Sequence, residues 1–237
     1  MTARSMCCCA GAAHKAQSDA PDDLKADLAL ITDRIRIFIH HGMELGFQPL
    51  ARALAGTGIT PNHVTVAGTA LTLVSAAVVV AGDLVWGGAI FIIAGTLDTL
   101  DGTLARIAGL ASARGAFIDS TLDRVSEGAM FAALAYYFSV RGAPVDVAIV
   151  VVTLLGSVMV SYTRARADAL GIDCSSGLAT RGERVFVLGL GMIFGWPAIA
   201  IYVLAVTTAY TAVQRITTVL RALPAAAAEG ESEKPAG

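Results

Sequence analysis

The sequence predicts an all-α integral membrane protein, with six transmembrane helices preceded by an interfacial amphipathic helix. Hydrophobic residues make up 55% of the 237 residues and charged residues only 15%, whereas soluble domains carry roughly 25% charged residues. Glycine accounts for 24 residues, and small residues let membrane helices approach closely. This composition argues against a soluble enzyme, a disordered protein or a nucleic-acid binder, and the net charge of −2 provides no basic field for a polyanion.

The predicted spans follow from long uncharged runs. Residues 53–82 contain no charged residue, which exceeds the ~20 residues that cross a bilayer. We expect no secretory signal peptide before this run, because no cleavage pattern precedes it. The uncharged run 185–214 is too long for one helix, and Gly195-Trp196-Pro197 within it is typical of a turn. The six predicted helices are 63–82, 85–106, 116–140, 145–166, 178–195 and 197–221.

The distribution of basic residues predicts the orientation. Of the 17 Lys and Arg residues, only Arg141 falls on one side of the predicted bundle. Cytoplasmic loops carry the excess of basic residues. Both termini and the charge-rich loops are therefore expected on the cytoplasmic side of a cell (inner) membrane.

The segments outside the bundle have distinct compositions. Residues 22–55 include a stripe formed by Ile35, Phe38 and Ile39, which predicts an amphipathic helix lying in the cytoplasmic interface. An ordinary helix packed on another domain is the alternative. Residues 1–21 and 222–237 are expected to be disordered tails around a six-helix domain at 56–221. The consecutive Cys7, Cys8 and Cys9 are either acylation sites or part of such a tail.

Four carboxylates lie near membrane depth. Asp98 and Asp101 are three residues apart, and Asp119 and Asp123 are four apart, so each pair lies on one helix face. Because the intervening loop is short, we expect the two helices to be antiparallel neighbours whose aspartates face each other. A charged carboxylate near membrane depth costs free energy, and a bound cation offsets that cost. Carboxylate oxygens suit hard cations such as Mg²⁺ or Mn²⁺. We therefore predict two metal ions; aspartates facing water at helix ends are the alternative.

These residues form the pattern Asp-x-x-Asp-Gly-x-x-Ala-Arg, eight residues, Gly-x-x-x-Asp-x-x-x-Asp. The pattern resembles the defining motif of the CDP-alcohol phosphatidyltransferase family, with every fixed position filled. The resemblance extends over about residues 30–221. It implies that two Mg²⁺ or Mn²⁺ ions hold the diphosphate of a CDP-linked lipid such as CDP-diacylglycerol. An acceptor hydroxyl then attacks the lipid-side phosphate and CMP leaves.

The same resemblance implies roles for individual residues. Asp98, Asp101 and Asp119 would be the principal metal ligands, and Asp123 would touch one ion and act as the general base. The residues implied to contact the CDP-lipid are Pro61, Asn62, His63, Val64, Gly102, Arg106 and Ser112.

A group of arginines lies at the same predicted end as the aspartates. An arginine in a bundle end is costly unless it meets an anion, and its planar fork suits phosphate. Positive-inside topology with headgroup contacts is the alternative for part of this group. The stretches that carry these arginines, residues 161–168 and 177–184, resemble the family branch that uses inositol 1-phosphate. Arg164 and Arg181-Gly-Glu-Arg184 depart from the usual residues of that branch. The implied acceptor-phosphate residues are Arg164, Arg166, Arg181, Arg184 and Arg215.

Several functions remain as alternatives at this point. The main prediction is transfer of a phosphatidyl group from CDP-diacylglycerol to inositol 1-phosphate. The alternatives are the same reaction on glycerol 3-phosphate, transfer from a soluble CDP-inositol donor, and a divalent-ion transporter. A transporter usually has inverted repeats, and the sequence contains no evident repeat. The family resemblance also implies a homodimer.

Overall fold

The computed structural model describes residues 46–174, 177 and 180–223. These residues are helical or connect helices, and none of them forms a strand. The first helix, α1, comprises residues 46–55. By its internal contacts the chain divides into two units, Met1–Leu50 and Ala51–Gly237, and everything that follows concerns the second unit.

Six further helices complete the described chain, and several begin at recognisable start signals. Proline occupies the first turn of α2, α5 and α7, where its missing N–H is not needed. Asp83 Oδ1 accepts a hydrogen bond from Trp86 N at 3.1 Å at the start of α3, and Ser112 Oγ accepts one from Gly115 N at the same distance at the start of α4. The helices are α2 (Pro61–Val80), α3 (Leu84–Ile107), α4 (Ala113–Ser139), α5 (Pro144–Ala169), α6 (Arg181–Ile193) and α7 (Pro197–Ala222).

Four of these helices, α2, α3, α5 and α7, are long and apolar enough to cross a membrane. Helix α4 carries several charged residues, and α6 has only 13 residues, about 20 Å at 1.5 Å per residue. The all-helical, multi-pass membrane class is therefore confirmed. The prediction of six spans and an interfacial helix stays a prediction. Residues 1–45 lie outside the described residues, and with them the predicted N-terminal tail, its three consecutive cysteines and most of the predicted interfacial segment. Of the predicted C-terminal tail, only Ala222 and Leu223 are described.

The six helices close into a ring. Each packs against two others, in the cyclic order α2, α3, α6, α7, α5, α4. The ring interior is filled by large apolar side chains of α3, α4, α6 and α7. The innermost of them are Phe91, Met130, Phe131, Leu134, Leu188, Met192 and Ile201.

The expected neighbour relation between α3 and α4 is wrong. Helix α2 packs against both of them, whereas within the described residues α3 and α4 do not pack against each other. The connection at residues 108–112 is short in sequence, but Gly109, with φ +65°, redirects the chain where most residues would be strained. The two helices therefore meet only through side chains at this end.

Glycines provide close contact between α3 and α6, as the composition suggested. A Cβ placed on Gly88 would lie 2.6 Å from the carbonyl oxygen of Gly189 and 3.0 Å from the Met192 side chain. No real side chain fits at that separation from backbone. The two helices therefore depend on this glycine for their close approach.

Replacing Gly88 with alanine should destabilise the bundle by about 1–3 kcal/mol, because overpacking forces the two backbones apart. The measurement is the thermal unfolding midpoint of purified protein in detergent. Gly128→Ala on α4 is the matched control, since a Cβ there meets no atom within 4 Å. An equal fall in both variants would contradict the proposed close packing.

Candidate active site

Three carboxylates from two helices converge at one end of the ring. Asp98 comes from α3, and Asp119 and Asp123 come from successive turns of one face of α4. One carboxylate oxygen of each lies within 4.8 Å of the others. The side-chain oxygen Asp119 Oδ1 is buried and has no hydrogen-bond partner among the described residues. An unpaired buried carboxylate oxygen is costly, and a hard divalent cation would satisfy it, so these residues fit a metal ion.

Asp101 occupies a different position from the other three aspartates. It is buried, and Thr65 Oγ1 donates to its Oδ2 at 2.6 Å. The Thr65 hydroxyl also lies 3.1 Å from the carbonyl oxygen of Pro61. Asp101 is therefore fixed against the start of α2 and borders a cleft that Asp119 also lines. Asp119 belongs to both the convergent carboxylates and the cleft.

This cleft of about 200 Å³ lies between the beginnings of α2 and α4 and the end of α3. It contains four of the residues predicted to contact the CDP-lipid, namely Pro61, Asn62, Gly102 and Ser112. Its other lining residues are Thr65, Asp101, Ala105, Leu110, Ala111, Gly115, Ala116 and Asp119. A Cβ on Gly115 would lie 3.3 Å from Asn62 Oδ1 and 3.2 Å from Ser112 Oγ, so this glycine keeps the cleft open at its polar wall.

The other three residues predicted to contact the CDP-lipid do not line the cleft. His63 Nδ1 accepts a hydrogen bond from Thr60 N at 3.3 Å and so caps α2. Val64 is buried and Arg106 is exposed near the end of α3. The implied contacts of His63, Val64 and Arg106 with a CDP-lipid stay predictions.

Arg181 forms ion pairs with two of the convergent carboxylates, although it was predicted to bind the acceptor phosphate. Its Nη1 forms ion pairs with Asp98 and with Asp123 Oδ1, the latter at 2.6 Å. Thr180 N donates to Glu183 Oε2 at 2.7 Å at the start of α6. This cap fixes the turn that carries Arg181 and Arg184.

Arg184 and Arg215 are deeply buried, with exposed fractions of 3% each. Arg184 Nε donates to Glu127 Oε1 at 2.7 Å, and its Nη2 donates to Oε2 at 3.3 Å. Arg215 Nη1 donates to the carbonyl oxygen of Val160 at 2.6 Å. These two guanidinium groups are held inside the bundle end by specific partners.

Arg164 and Arg166 are exposed on the last turns of α5. Arg164 lies 4.0 Å from Asp168, with both side chains more than half exposed. The five arginines predicted for one phosphate site are thus divided between the surface and the interior.

Four residues of this region were missed by the sequence reasoning. Thr65 follows the recognised segment at the start of α2, and Glu127 lies one turn after Asp123 on the same face. Arg124 Nη1 donates to Ser161 Oγ at 2.5 Å, joining α4 to α5. The i+4 spacing could have pointed to Glu127; nothing in the sequence indicates the other partnerships.

The chain matches the family model described as CDP-alcohol phosphatidyltransferase over residues 58–223. The chain therefore belongs to the CDP-alcohol phosphatidyltransferase family. It is 38% identical over 178 residues to a phosphatidylinositol phosphate synthase of Mycobacteroides abscessus, covering 71% of this chain and 81% of the relative. It is also 38% identical over 173 residues to an archaetidylinositol phosphate synthase of Pyrococcus horikoshii, covering 71% of this chain and 89% of the relative.

Solved structures agree with the sequence relatives. A crystal structure of Mycobacterium tuberculosis phosphatidylinositol phosphate synthase with CDP-DAG bound has a TM-score of 0.67 and 31% identity, covering 80% of this chain and 98% of that one. A structure of the same enzyme in complex with manganese and citrate has a TM-score of 0.68 and 30% identity, covering 80% and 93%.

Three sequence predictions are confirmed by these findings. The family is confirmed, the chain is a CDP-alcohol phosphatidyltransferase rather than a transporter, and its cofactor is a divalent metal ion. The choice between Mg²⁺ and Mn²⁺ and the number of ions stay predictions.

Replacing Asp119 with asparagine should weaken Mn²⁺ binding by about 10-fold or more, since even losing a partner of a metal ligand costs 10–100-fold. Calorimetric titration of purified protein with Mn²⁺ measures this. Asp146→Asn, in the first turn of α5 and outside the carboxylate group, should bind as the unsubstituted protein does. Unchanged affinity in the Asp119 variant would remove this residue from the metal site, and full turnover in excess chelator would contradict metal dependence.

Proposed function

We propose that this membrane enzyme transfers the phosphatidyl group of CDP-diacylglycerol to a hydroxyl of inositol 1-phosphate, releasing CMP. The observation that carries the proposal is the convergence of Asp98, Asp119 and Asp123 beside the cleft, in a chain that belongs to this family. Relatives from a bacterium and an archaeon support the acceptor, because both are named for an inositol phosphate lipid.

Asp98, Asp101, Asp119 and Asp123 would hold two Mg²⁺ or Mn²⁺ ions. When bound, such ions neutralise the diphosphate and stabilise the oxygens of an in-line displacement. The chain itself supplies the fixed carboxylate geometry. The hydrogen bond from Thr65 holds Asp101 against the cleft, and the helical spacing of Asp119 and Asp123 presents both to the same side.

The cleft would bind the cytidine diphosphate part of the donor lipid. Asn62, Ser112 and the open backbone at Gly102 offer polar contacts along its wall. Asp119 lies where this cleft meets the convergent carboxylates. A diphosphate in the cleft would therefore reach the metal site without a further rearrangement of the helices.

Asp123 would accept the proton of the attacking acceptor hydroxyl. In the reaction, the acceptor oxygen forms a bond to the lipid-side phosphorus, and the bond from that phosphorus to the CMP oxygen breaks. The hydroxyl proton passes to Asp123 Oδ. Asp123 is buried and one turn beyond Asp119, so it can face both the metal site and an incoming hydroxyl.

Basic residues at the same end would bind the acceptor phosphate. Arg184 and Arg215 are the strongest candidates because they are buried, and burying an arginine is favourable chiefly where it meets an anion. Arg181 lies closer to the carboxylates, and its contribution would be to the phosphates at the metal site. Arg164 and Arg166 would act at the membrane surface or at the entrance to the site.

The last part of the proposal concerns the membrane location, orientation and oligomeric state of the enzyme. We infer a multi-pass protein of the inner membrane, with both termini and the active site facing the cytoplasm. The excess of basic residues at the active-site end supports this orientation. A homodimer is inferred from the family alone.

The acceptor should be a phosphate-bearing polyol. Losing a hydrogen bond to a charged group costs ~1.5–3 kcal/mol, so the loss of two predicts about 100-fold or greater preference for inositol 1-phosphate over free inositol. The measurement is CMP release from CDP-diacylglycerol with inositol 1-phosphate, glycerol 3-phosphate and inositol supplied separately. A preference for glycerol 3-phosphate would transfer the function to phosphatidylglycerophosphate synthesis, and equal use of free inositol would remove the arginines from the acceptor site.

Replacing Asp123 with asparagine should lower turnover by ~10²–10⁴, the usual cost of losing a general base, while binding of CDP-diacylglycerol largely survives. Turnover and equilibrium binding of the donor lipid are measured on the same preparation. A variant that no longer binds the donor would identify Asp123 as chiefly a metal ligand.

A further inference from the structure

Glu127, a carboxylate outside the aspartate motif, joins α4 to α6 through a buried ion pair. Its two oxygens meet the Nε and Nη2 edge of Arg184 at 2.7 and 3.3 Å. The exposed fractions are 8% for Glu127 and 3% for Arg184. A bidentate pair of this kind fixes the plane of the guanidinium group as well as its distance from the carboxylate.

This ion pair crosses the interior of the helix ring. Helix α4 packs against α2 and α5, and α6 packs against α3 and α7, whereas α4 and α6 do not pack against each other in the described residues. Their side chains meet in the apolar interior of the ring, and two ion pairs connect them at the end of the bundle that carries the aspartates. Arg181 meets Asp123, and Arg184 meets Glu127 one turn further into the bundle on both helices.

The inner pair borders a cavity of only about 10 Å³, which is lined by Phe91, Phe131 and Leu188, together with Glu127 and Arg184. The two hydrogen bonds to Glu127 therefore fix where the Arg184 guanidinium lies relative to Asp123, which belongs to the same helix as Glu127.

Glu127 also touches a second arginine that leads to α5. Arg124 Nη1 lies 3.7 Å from Glu127 Oε2 and donates to Ser161 Oγ at 2.5 Å. The preceding residue of α5, Val160, accepts the hydrogen bond from Arg215.

We propose that Glu127 is a positioning residue for the acceptor, holding the Arg184 guanidinium across the ring at the distance from Asp123 that a phosphate-bearing acceptor requires. The proposal rests on the proposed function, since it assigns Arg184 to the acceptor phosphate. Glu127 touches neither substrate nor metal in this scheme and acts only through Arg184.

Glu127→Gln is the most informative single variant. Glutamine keeps the size of the side chain and one acceptor oxygen, but it removes the charge and the second contact with Arg184. We expect the KM for the acceptor to rise about 10-fold or more, while the KM for CDP-diacylglycerol stays within twofold. Thr153→Val is the control for general destabilisation. It removes a buried α5–α7 hydrogen bond to the Ile201 carbonyl, about two turns from Ser161, and should leave both KM values unchanged.

A charge reversal separates positioning from structural support. In the double variant Glu127→Arg, Arg184→Glu, the ion pair is retained with its members exchanged. We expect the thermal unfolding midpoint to recover towards that of the unsubstituted protein, while the acceptor KM remains high because the cation now projects from α4. If the double variant does not fold, Glu127→Gln decides alone.

Two results would overturn the proposal, namely an acceptor KM within twofold of normal in Glu127→Gln, or recovery of the acceptor KM in the charge reversal. Failure of the proposed function is seen separately, as absent turnover of inositol 1-phosphate by the unsubstituted enzyme. In that event the acceptor KM of Glu127→Gln is compared with that of the unsubstituted enzyme for whichever phosphate acceptor the enzyme does use. Thermal stabilisation by inorganic phosphate provides a further comparison that needs no turnover, and Glu127→Gln should reduce it.

Discussion

The charge balance at one end of an apolar helix ring is the constraint on which the rest of this structure depends. Asp101, Asp123 and Glu127 are buried there, and a buried carboxylate is tolerated only with hydrogen bonds or opposite charge. Each has a partner on another helix: a threonine hydroxyl for Asp101, Arg181 for Asp123 and Arg184 for Glu127. The convergent carboxylates and the arginines therefore fix each other's positions, and the proposed metal and anion sites would be parts of one electrostatic arrangement.

The ring topology explains how this arrangement forms from distant parts of the chain. Helix α2 packs against both helices that carry the aspartate motif, so its first turn, rather than a direct α3–α4 contact, forms one wall of the cleft. The Thr65 hydroxyl lies one turn further along α2 and donates a hydrogen bond to Asp101. The aspartates of α3 and α4 can then converge through their side chains while the backbones remain apart, and the cleft opens beside them.

Much of the fold could be predicted because the residues that begin and end its helices act locally in the sequence. Each end of α2 to α7 falls within three residues of its predicted position, since Pro61, Pro144 and Pro197 begin helices and the connecting glycines end them. The grouping of Asp119 with Asp123 is also local, being a matter of helical period. The partners of Asp101 and Glu127 lie 36 and 57 residues away along the chain. Periodicity tells which residues share a face but not which faces meet, so the contact of Thr65 with Asp101, the contact of Arg184 with Glu127 and the position of Arg181 could not be predicted.

Burial separates the two explanations that the sequence left for its arginines. Positive-inside topology requires only that cations lie near one membrane surface, and the exposed Arg164 and Arg166 satisfy that requirement. It does not account for Arg184 and Arg215, whose exposed fractions are 3%, because a cation buried in a bundle end reaches no headgroup and is costly without a specific partner. Arg184 has such a partner in Glu127, which keeps the cation stable before any substrate arrives. A cation held in this way is already desolvated and oriented, so binding an anion beside it requires little further ordering. In the proposed function, the same pairing that makes the buried charge tolerable would prepare it for phosphate recognition.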